Sequence, residues 1–167
     1  MRARRELRAF DAEKVDSLAF GPTGDVLAVG YPDRIELRDT RTTAVLQTLR
    51  SPGSQTWDLA FSPDGHWLAT IDSEGARLWE VGDVATPPVQ AGALVDRDTS
   101  GAFDVAVAFS PDGRLLAVAD GGPEVILWDL DVGSWRRTLC QLVDRDFTDQ
   151  ERRRFFPGGQ TEPTCEG

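Results

Sequence analysis

The chain has 167 residues, 40% of them hydrophobic and 28% charged, as expected for a single globular domain with a real core. A formal net charge of −10 argues against general affinity for nucleic acid, since binding to phosphate needs clustered cations. No apolar run approaches the roughly 18 residues that suggest a membrane span.

In chain order, Arg2, Arg4, Arg5 and Arg8 form a basic stretch that reads as a solvated strand face. No apolar signal-type segment follows Met1, so the expected location is the cytoplasm. Residues 6–10 read as an outer strand closing a preceding unit, so the chain reads as starting inside an array. Lys14 is the only lysine, and the Arg, Ala, Gly, Asp and Val content suggests a GC-rich bacterial genome.

A pattern then repeats three times. Ala19-Phe20-Gly21-Pro22-Thr23-Gly24, Ala60-Phe61-Ser62-Pro63-Asp64-Gly65 and Ala108-Phe109-Ser110-Pro111-Asp112-Gly113 each precede a short β-type run. Each run is followed by a second signature: Leu37-Arg38-Asp39, Leu78-Trp79-Glu80 and Leu127-Trp128-Asp129. The spacing from Phe to the middle signature residue is 18, 18 and 19 residues. A fixed internal period decides the architecture before any single residue does. Pro presets φ at the second turn position, Asp suits the third, and Gly follows where φ turns positive, so each copy predicts a hairpin.

Four strands are expected per unit, at about 15–20, 26–30, 34–39 and 44–49, then 57–61, 67–71, 76–81 and 87–91. The third unit is expected at about 104–109, 115–119, 124–129 and 134–139. Phe20 to Phe61 is 41 residues and Phe61 to Phe109 is 48, the excess falling in the loop from Thr86 to Gly101. Antiparallel four-stranded units at about this period are the blades of a β-propeller. The predicted fold is therefore all-β: about three four-stranded blades (15–49, 57–91 and 104–139) within residues 1–140, then a capping tail over 141–167 with a short helix.

From about residue 5 to 140 these paired motifs resemble the WD-repeat β-propellers of bacteria. The resemblance implies radial blades, with one face built by the turns between second and third strands and by the joints between blades. It also implies a hydrogen-bond chain of His, Ser or Thr, Asp and Trp. Thr70, Asp72 and Trp79 supply three members in the second unit; the usual Gly-His pair is absent, and Arg38 replaces Trp in the first. The tail, with Cys140 to Thr148, Phe156-Pro157-Gly158 and Thr164-Cys165, resembles the C-terminal tail of STAND-type signalling ATPases that carry WD-repeat propellers. Within it Thr148-Asp149-Gln150-Glu151 forms a capping box that predicts a helix over about 149–155.

Motifs for catalysis are missing from the sequence. His66 is the only histidine, and it sits between a turn glycine and Trp67 with no nucleophile motif beside it. Neither a phosphate-binding Gly-x-x-x-x-Gly-Lys nor a dinucleotide fingerprint occurs. Asp120-Gly121-Gly122 reads as a blade turn rather than a calcium loop. Cys140 and Cys165 fall short of the four ligands of a structural zinc site, and whether they pair stays open. Trp67, Trp79 and Trp128 read as packing residues; Trp57 and Trp135 lie near blade joints, where exposed aromatics suit protein contacts.

The sequence thus predicts a non-catalytic protein-interaction or sensing scaffold, with no cofactor or metal and with protein partners rather than nucleic acid or membrane. The predicted contact residues are Tyr31, Asp33 and Arg34 in the first unit, Trp57, Asp72 and Glu74 in the second, and Phe103, Asp120 and Glu124 in the third. A propeller-associated hydrolase or peptidase fragment, or a truncated product without its own function, are the alternatives. Three blades fall short of the roughly four to eight of a ring, so self-association to complete one is also expected.

Overall fold

A computed structural model describes residues 9–50, 55–82, 88–95, 105–143 and 148. The first sheet runs β1 (Ser17–Phe20), β2 (Val26–Gly30), β3 (Arg34–Asp39) and β4 (Val45–Arg50), each strand antiparallel to its sequence neighbour. The second repeats this with β5 (Thr56–Phe61), β6 (Trp67–Asp72), β7 (Gly75–Glu80) and β8 (Val89–Val95). The third has β9 (Val105–Phe109), β10 (Leu115–Asp120) and β11 (Val125–Asp129), with β10 in the middle.

The hairpin turns explain the repeated Pro-x-Gly. Gly24, Gly65 and Gly113 adopt φ of 77°, 75° and 71°, a region that favours glycine. Their amides close the turns on the carbonyls of Gly21, Ser62 and Ser110 at 2.9 Å. The Ser62 hydroxyl donates to the Asp64 carboxylate and accepts from the Trp67 amide, and Ser110, Asp112 and Leu115 repeat the arrangement. Gly21 and Thr23 in the first copy offer no such pair, and there the Thr40 hydroxyl donates to the Gly24 carbonyl at 2.9 Å instead.

The sheets stack in series, β1 beside β5 and β5 beside β9. Ala28, Ile35, Leu37 and Leu49 of the first sheet pack against Leu59, Leu68 and Trp79 of the second, with Val81 and the partly buried Ala19, Val26 and Phe61 around them. Two polar bonds tie the inner strands together. The Ser17 hydroxyl donates to the Thr56 carbonyl at 2.9 Å, and Asp58 accepts the Val107 amide at 2.9 Å. The corresponding residue of the third sheet is Ala106, which has no such group.

Residues 134–139, expected as a twelfth strand, instead lie in a helix, α1 (Val132–Val143). Asp131 is its N-cap: the carboxylate accepts from the Gly133 amide at 3.0 Å, and the carbonyl accepts the first helical bond from Trp135. The chain separates into two compact units, residues 1–128 and 129–167, and α1 belongs to the second. Cys140 on α1 is disulfide-bonded. The chain's other cysteine, Cys165, and the expected helix over 149–155 lie outside the described residues.

Inside the second sheet the Trp79 indole N–H donates to the Thr70 hydroxyl at 3.0 Å, as the resemblance implied. Asp72 departs from that scheme by pairing with Arg77. In the third sheet the position of Thr70 is taken by Val118, which has no acceptor to offer. The buried indole nitrogen of Trp128 has no hydrogen-bond partner among the described residues. A neutral hydrogen bond contributes about 1 kcal/mol, and an orphaned buried donor costs about 1–3 kcal/mol. Thr70→Val is therefore expected to lower unfolding stability by about 1–2 kcal/mol, and Val118→Thr to raise it by about 1 kcal/mol. Urea unfolding followed by tryptophan fluorescence checks both signs.

Candidate functional site

In antiparallel sheets the turns alternate between the two ends, so every turn between a second and third strand lies at one end. That end carries residues 31–34, 72–75 and 120–124, together with the start of β5. The three sheets that stack in series thus gather most of the predicted contact residues onto one end surface.

Not all of those residues face outward. Tyr31, Asp72 and Asp120 are buried, each less than a tenth exposed. The cause is turn chemistry. Asp72 accepts the Glu74 amide at 2.8 Å and Asp120 the Gly122 amide at 3.1 Å, a short carboxylate bonding its own backbone two residues on. The Arg77 Nη1 group also donates to both Asp72 carboxylate oxygens at 2.6 Å, a buried ion pair. Tyr31 closes its turn through the backbone, its amide donating to the Arg34 carbonyl at 2.8 Å. Its ring lies under the Arg34 guanidinium at 4.3 Å, and its carbonyl accepts from Thr56 in the next sheet. These three are internal residues of the end surface, buried where the sequence reading expected exposed ones.

Asp33, Glu74 and Glu124 are exposed at the tips of their turns, and Arg34 and Trp57 are half-buried. Trp57 is the extra residue of a β-bulge, where Thr56 pairs with Asp72 but Asp58 already pairs with Ile71. A bulge re-aims one side chain and bends the strand, which sets Trp57 apart from the regular alternation of β5. Phe103 lies outside the described residues. Glu13 also reaches this end, 3.5 Å from Arg34, although no repeat or period marks it in the sequence.

Arg34 organises the first turn by bonding Asp33 and Glu36 at 2.9 Å each. Glu36 is buried between Arg34 and Arg38, with Arg38 at 2.6 Å. Burial alone pushes the Glu36 carboxyl up, but the hydrogen bonds from the two guanidinium groups outweigh it and hold the group below its ordinary value. Burial, and then the Glu36 charge, push the Tyr31 phenol up.

The opposite end carries the Ser-Pro-Asp-Gly turns and the exposed His66. There the Asp64 carboxylate accepts the His66 amide at 3.0 Å, and the Val81 amide donates to the His66 carbonyl. Among the described residues, no three His, Cys, Asp or Glu side chains group closely enough to hold a metal ion. Nor is any helix among them long and apolar enough to cross a membrane.

A group with a depressed folded pKa stabilises the protein fully above its unfolded value, here 4.5, and the contribution fades as pH falls through the folded value. Stability is thus expected to fall on acidification below about 4.5, and Glu36→Gln to flatten that fall; urea midpoints at pH 7, 4.5 and 3 measure it. Asp72→Ala leaves Arg77 as an uncompensated buried cation and is expected to cost about 3–5 kcal/mol at pH 7 in the same assay.

Comparison with known proteins accords with this geometry. The family model for the WD domain, G-beta repeat, matches residues 44–80 and 98–129. The WD repeat-containing protein VIP3 of Arabidopsis thaliana is 29% identical over 70% of this chain and 39% of its own length. An uncharacterized WD repeat-containing protein of Synechocystis is 34% identical over 75% of this chain and 35% of its own. A chain in the crystal structure of a mitotic checkpoint complex superposes with a TM-score of 0.58 at 21% identity, covering 70% of this chain and 36% of that one. The chain thus spans less than half the length of the curated relatives it matches. Motif, sheet order and similarity converge: the chain carries WD repeats, folded as sheets of the β-propeller type.

Proposed function

We propose that this chain is a protein-interaction scaffold whose partner surface is the end bearing the turns between second and third strands. The observation that carries this reading is the shared placement of Asp33, Glu74 and Glu124 at three turn tips, with Trp57 presented by a bulge beside them. Rigid sheets hold these side chains while buried pairs such as Asp72 with Arg77 fix the turns behind them. Exposed carboxylates around an aromatic suit a partner surface that presents arginine or lysine beside an apolar side chain.

The reading is non-catalytic. His66 stands at the far end of the sheets from the acidic turns, and the WD-repeat relatives support a binding role. Residues 141–167 are read as a capping tail, a reading supported by their resemblance to tails of STAND-type signalling ATPases. Bacterial origin is supported by the arginine-rich composition and by the similarity to the Synechocystis protein.

The test is capture on the immobilised full chain from extracts of the source cells, compared with a variant carrying Asp33→Arg, Glu74→Arg and Glu124→Arg. The expected outcome is at least one specifically retained protein, held about tenfold or more weakly by the variant, as several reversed interfacial charges imply. Equal retention by wild type and by a variant of unchanged urea midpoint would move the partner surface elsewhere.

A further inference from the structure

Asp16 leads into β1 at the end that carries the first of the acidic turns, where its amide donates to the Gly30 carbonyl at 2.9 Å. Its side chain is only 4% exposed, yet it collects its donors unevenly. The Lys14 ammonium lies 3.0 Å from Oδ1, and the Gln55 side-chain amide donates to that same oxygen at 3.3 Å. Oδ2 is buried and has no hydrogen-bond partner among the described residues. A buried carboxylate is ordinarily met at both oxygens, so a one-sided one marks a group short of a donor.

The surroundings belong to the joint between the first two sheets, both of which the chain supplies. The Ser17 hydroxyl bonds the Thr56 carbonyl, and the Thr56 hydroxyl donates to the Tyr31 carbonyl at 3.2 Å. The starts of β1 and β5 and the first turn are thus fastened side by side. Counting from the Phe of each copy, Asp16 stands where Trp57 stands in the second unit and Val105 in the third. The carboxylate is therefore peculiar to the first.

Lys14, the only lysine of the chain, is 69% exposed while the oxygen it reaches is sheltered. An ammonium is a point charge on a flexible stem, and from its place on Oδ1 it leaves Oδ2 unmet. A guanidinium carries two parallel N–H groups that match both oxygens of a carboxylate.

We propose that Asp16 is the acceptor for an arginine side chain of the partner polypeptide, and that Lys14 holds its place until the partner arrives. The arginine displaces the Lys14 ammonium into solvent and bonds Oδ1 and Oδ2 together. One cation replaces another, so Asp16 is at no stage an uncompensated buried charge. Exposed Val15 and half-buried Trp57, the near neighbours in sequence of Asp16 and Gln55, supply apolar surface for the arginine stem. A partner lysine brings nothing that Lys14 does not already provide, so the site selects arginine. This inference rests on the partner surface proposed above and narrows its cation to one chemistry at one joint.

The probes are two acetylated and amidated tripeptides, Ala-Arg-Ala and Ala-Lys-Ala, titrated into the full chain labelled with nitrogen-15. The expected result is saturable shifts of the Gln55 side-chain amide and the Asp16 backbone amide, with the arginine peptide bound about tenfold or more tightly than the lysine peptide. Asp16→Asn is expected to abolish that preference. Lys14→Ala is expected to tighten the arginine peptide by about threefold or more, because a site freed of its internal competitor no longer loses affinity to it. A merely structural role for the Lys14 and Asp16 pair predicts the opposite sign. Urea midpoints verify folding; if Asp16→Asn does not fold, the Lys14 comparison decides alone, with Lys14→Met in reserve. Equal binding of the two peptides, shifts that leave Gln55 and Asp16 untouched, or a Lys14 variant that binds arginine no better than wild type would each overturn the proposal. The peptides report on Asp16 directly. A failure here leaves the capture result with the charge-reversed turns standing, and a failure there leaves this one standing.

Discussion

Everything in this molecule depends on one constraint: a sheet of short strands has two faces, and a small sheet cannot bury either alone. The solution is face-to-face stacking of copies. Ala28, Ile35, Leu37 and Leu49 find cover only because Leu59, Leu68 and Trp79 are delivered at the matching height by a second unit 41 residues on. The small residues are as important as the large ones. Ala28 and Ala69, both fully buried, let the inner parts of adjacent sheets approach while bulkier side chains fill the widening space further out.

The same scaffold position accepts different polar solutions. In the second sheet Thr70 and Trp79 form one bond while Asp72 and Arg77 form an ion pair. In the first, the positions of Thr70, Arg77 and Trp79 hold Val29, Glu36 and Arg38, so the ion pair joins two residues of one strand instead of reaching back to the turn. The third carries Val118 against Trp128 and leaves the indole without an acceptor among the described residues. Geometry is thus shared through the period, whereas the polar chemistry between strands differs from unit to unit. Each sheet satisfies its buried groups, or fails to, with whatever its own residues provide.

How much of this was legible in the sequence follows from which features are local. The Pro-x-Gly turns, the strands β1 to β11 and the stacking order were readable because turn chemistry and alternation act over a few residues and recur. The α1 helix was missed because the period implied a fourth strand, while the local signals, Asp131 before Gly133 and Trp135, Leu139 and Leu142 at helical spacing, pointed the other way. The proposed contact surface was readable only in part. Its location at one end follows from topology, but Asp72 and Asp120 look like exposed loop acids until the hydrogen bonds to Glu74 and Gly122 show them folded back on their turns. The Trp57 bulge depends on pairing register, which alternation alone does not give.

The bonds from Ser17 to Thr56 and from Val107 to Asp58 lie on the innermost strands, which also pack directly on one another. The outermost strands β4 and β8 carry exposed Val45, Leu46 and Val89. The architecture is that of a hub with a loose rim. A change in β5 is felt by three sheets at once, whereas a change at the exposed Val45 or Leu46 of β4, or at Val89 of β8, is met largely by solvent. Variation over evolutionary time is therefore cheapest on the rim, and the hub sets the pace at which the whole array is free to diverge.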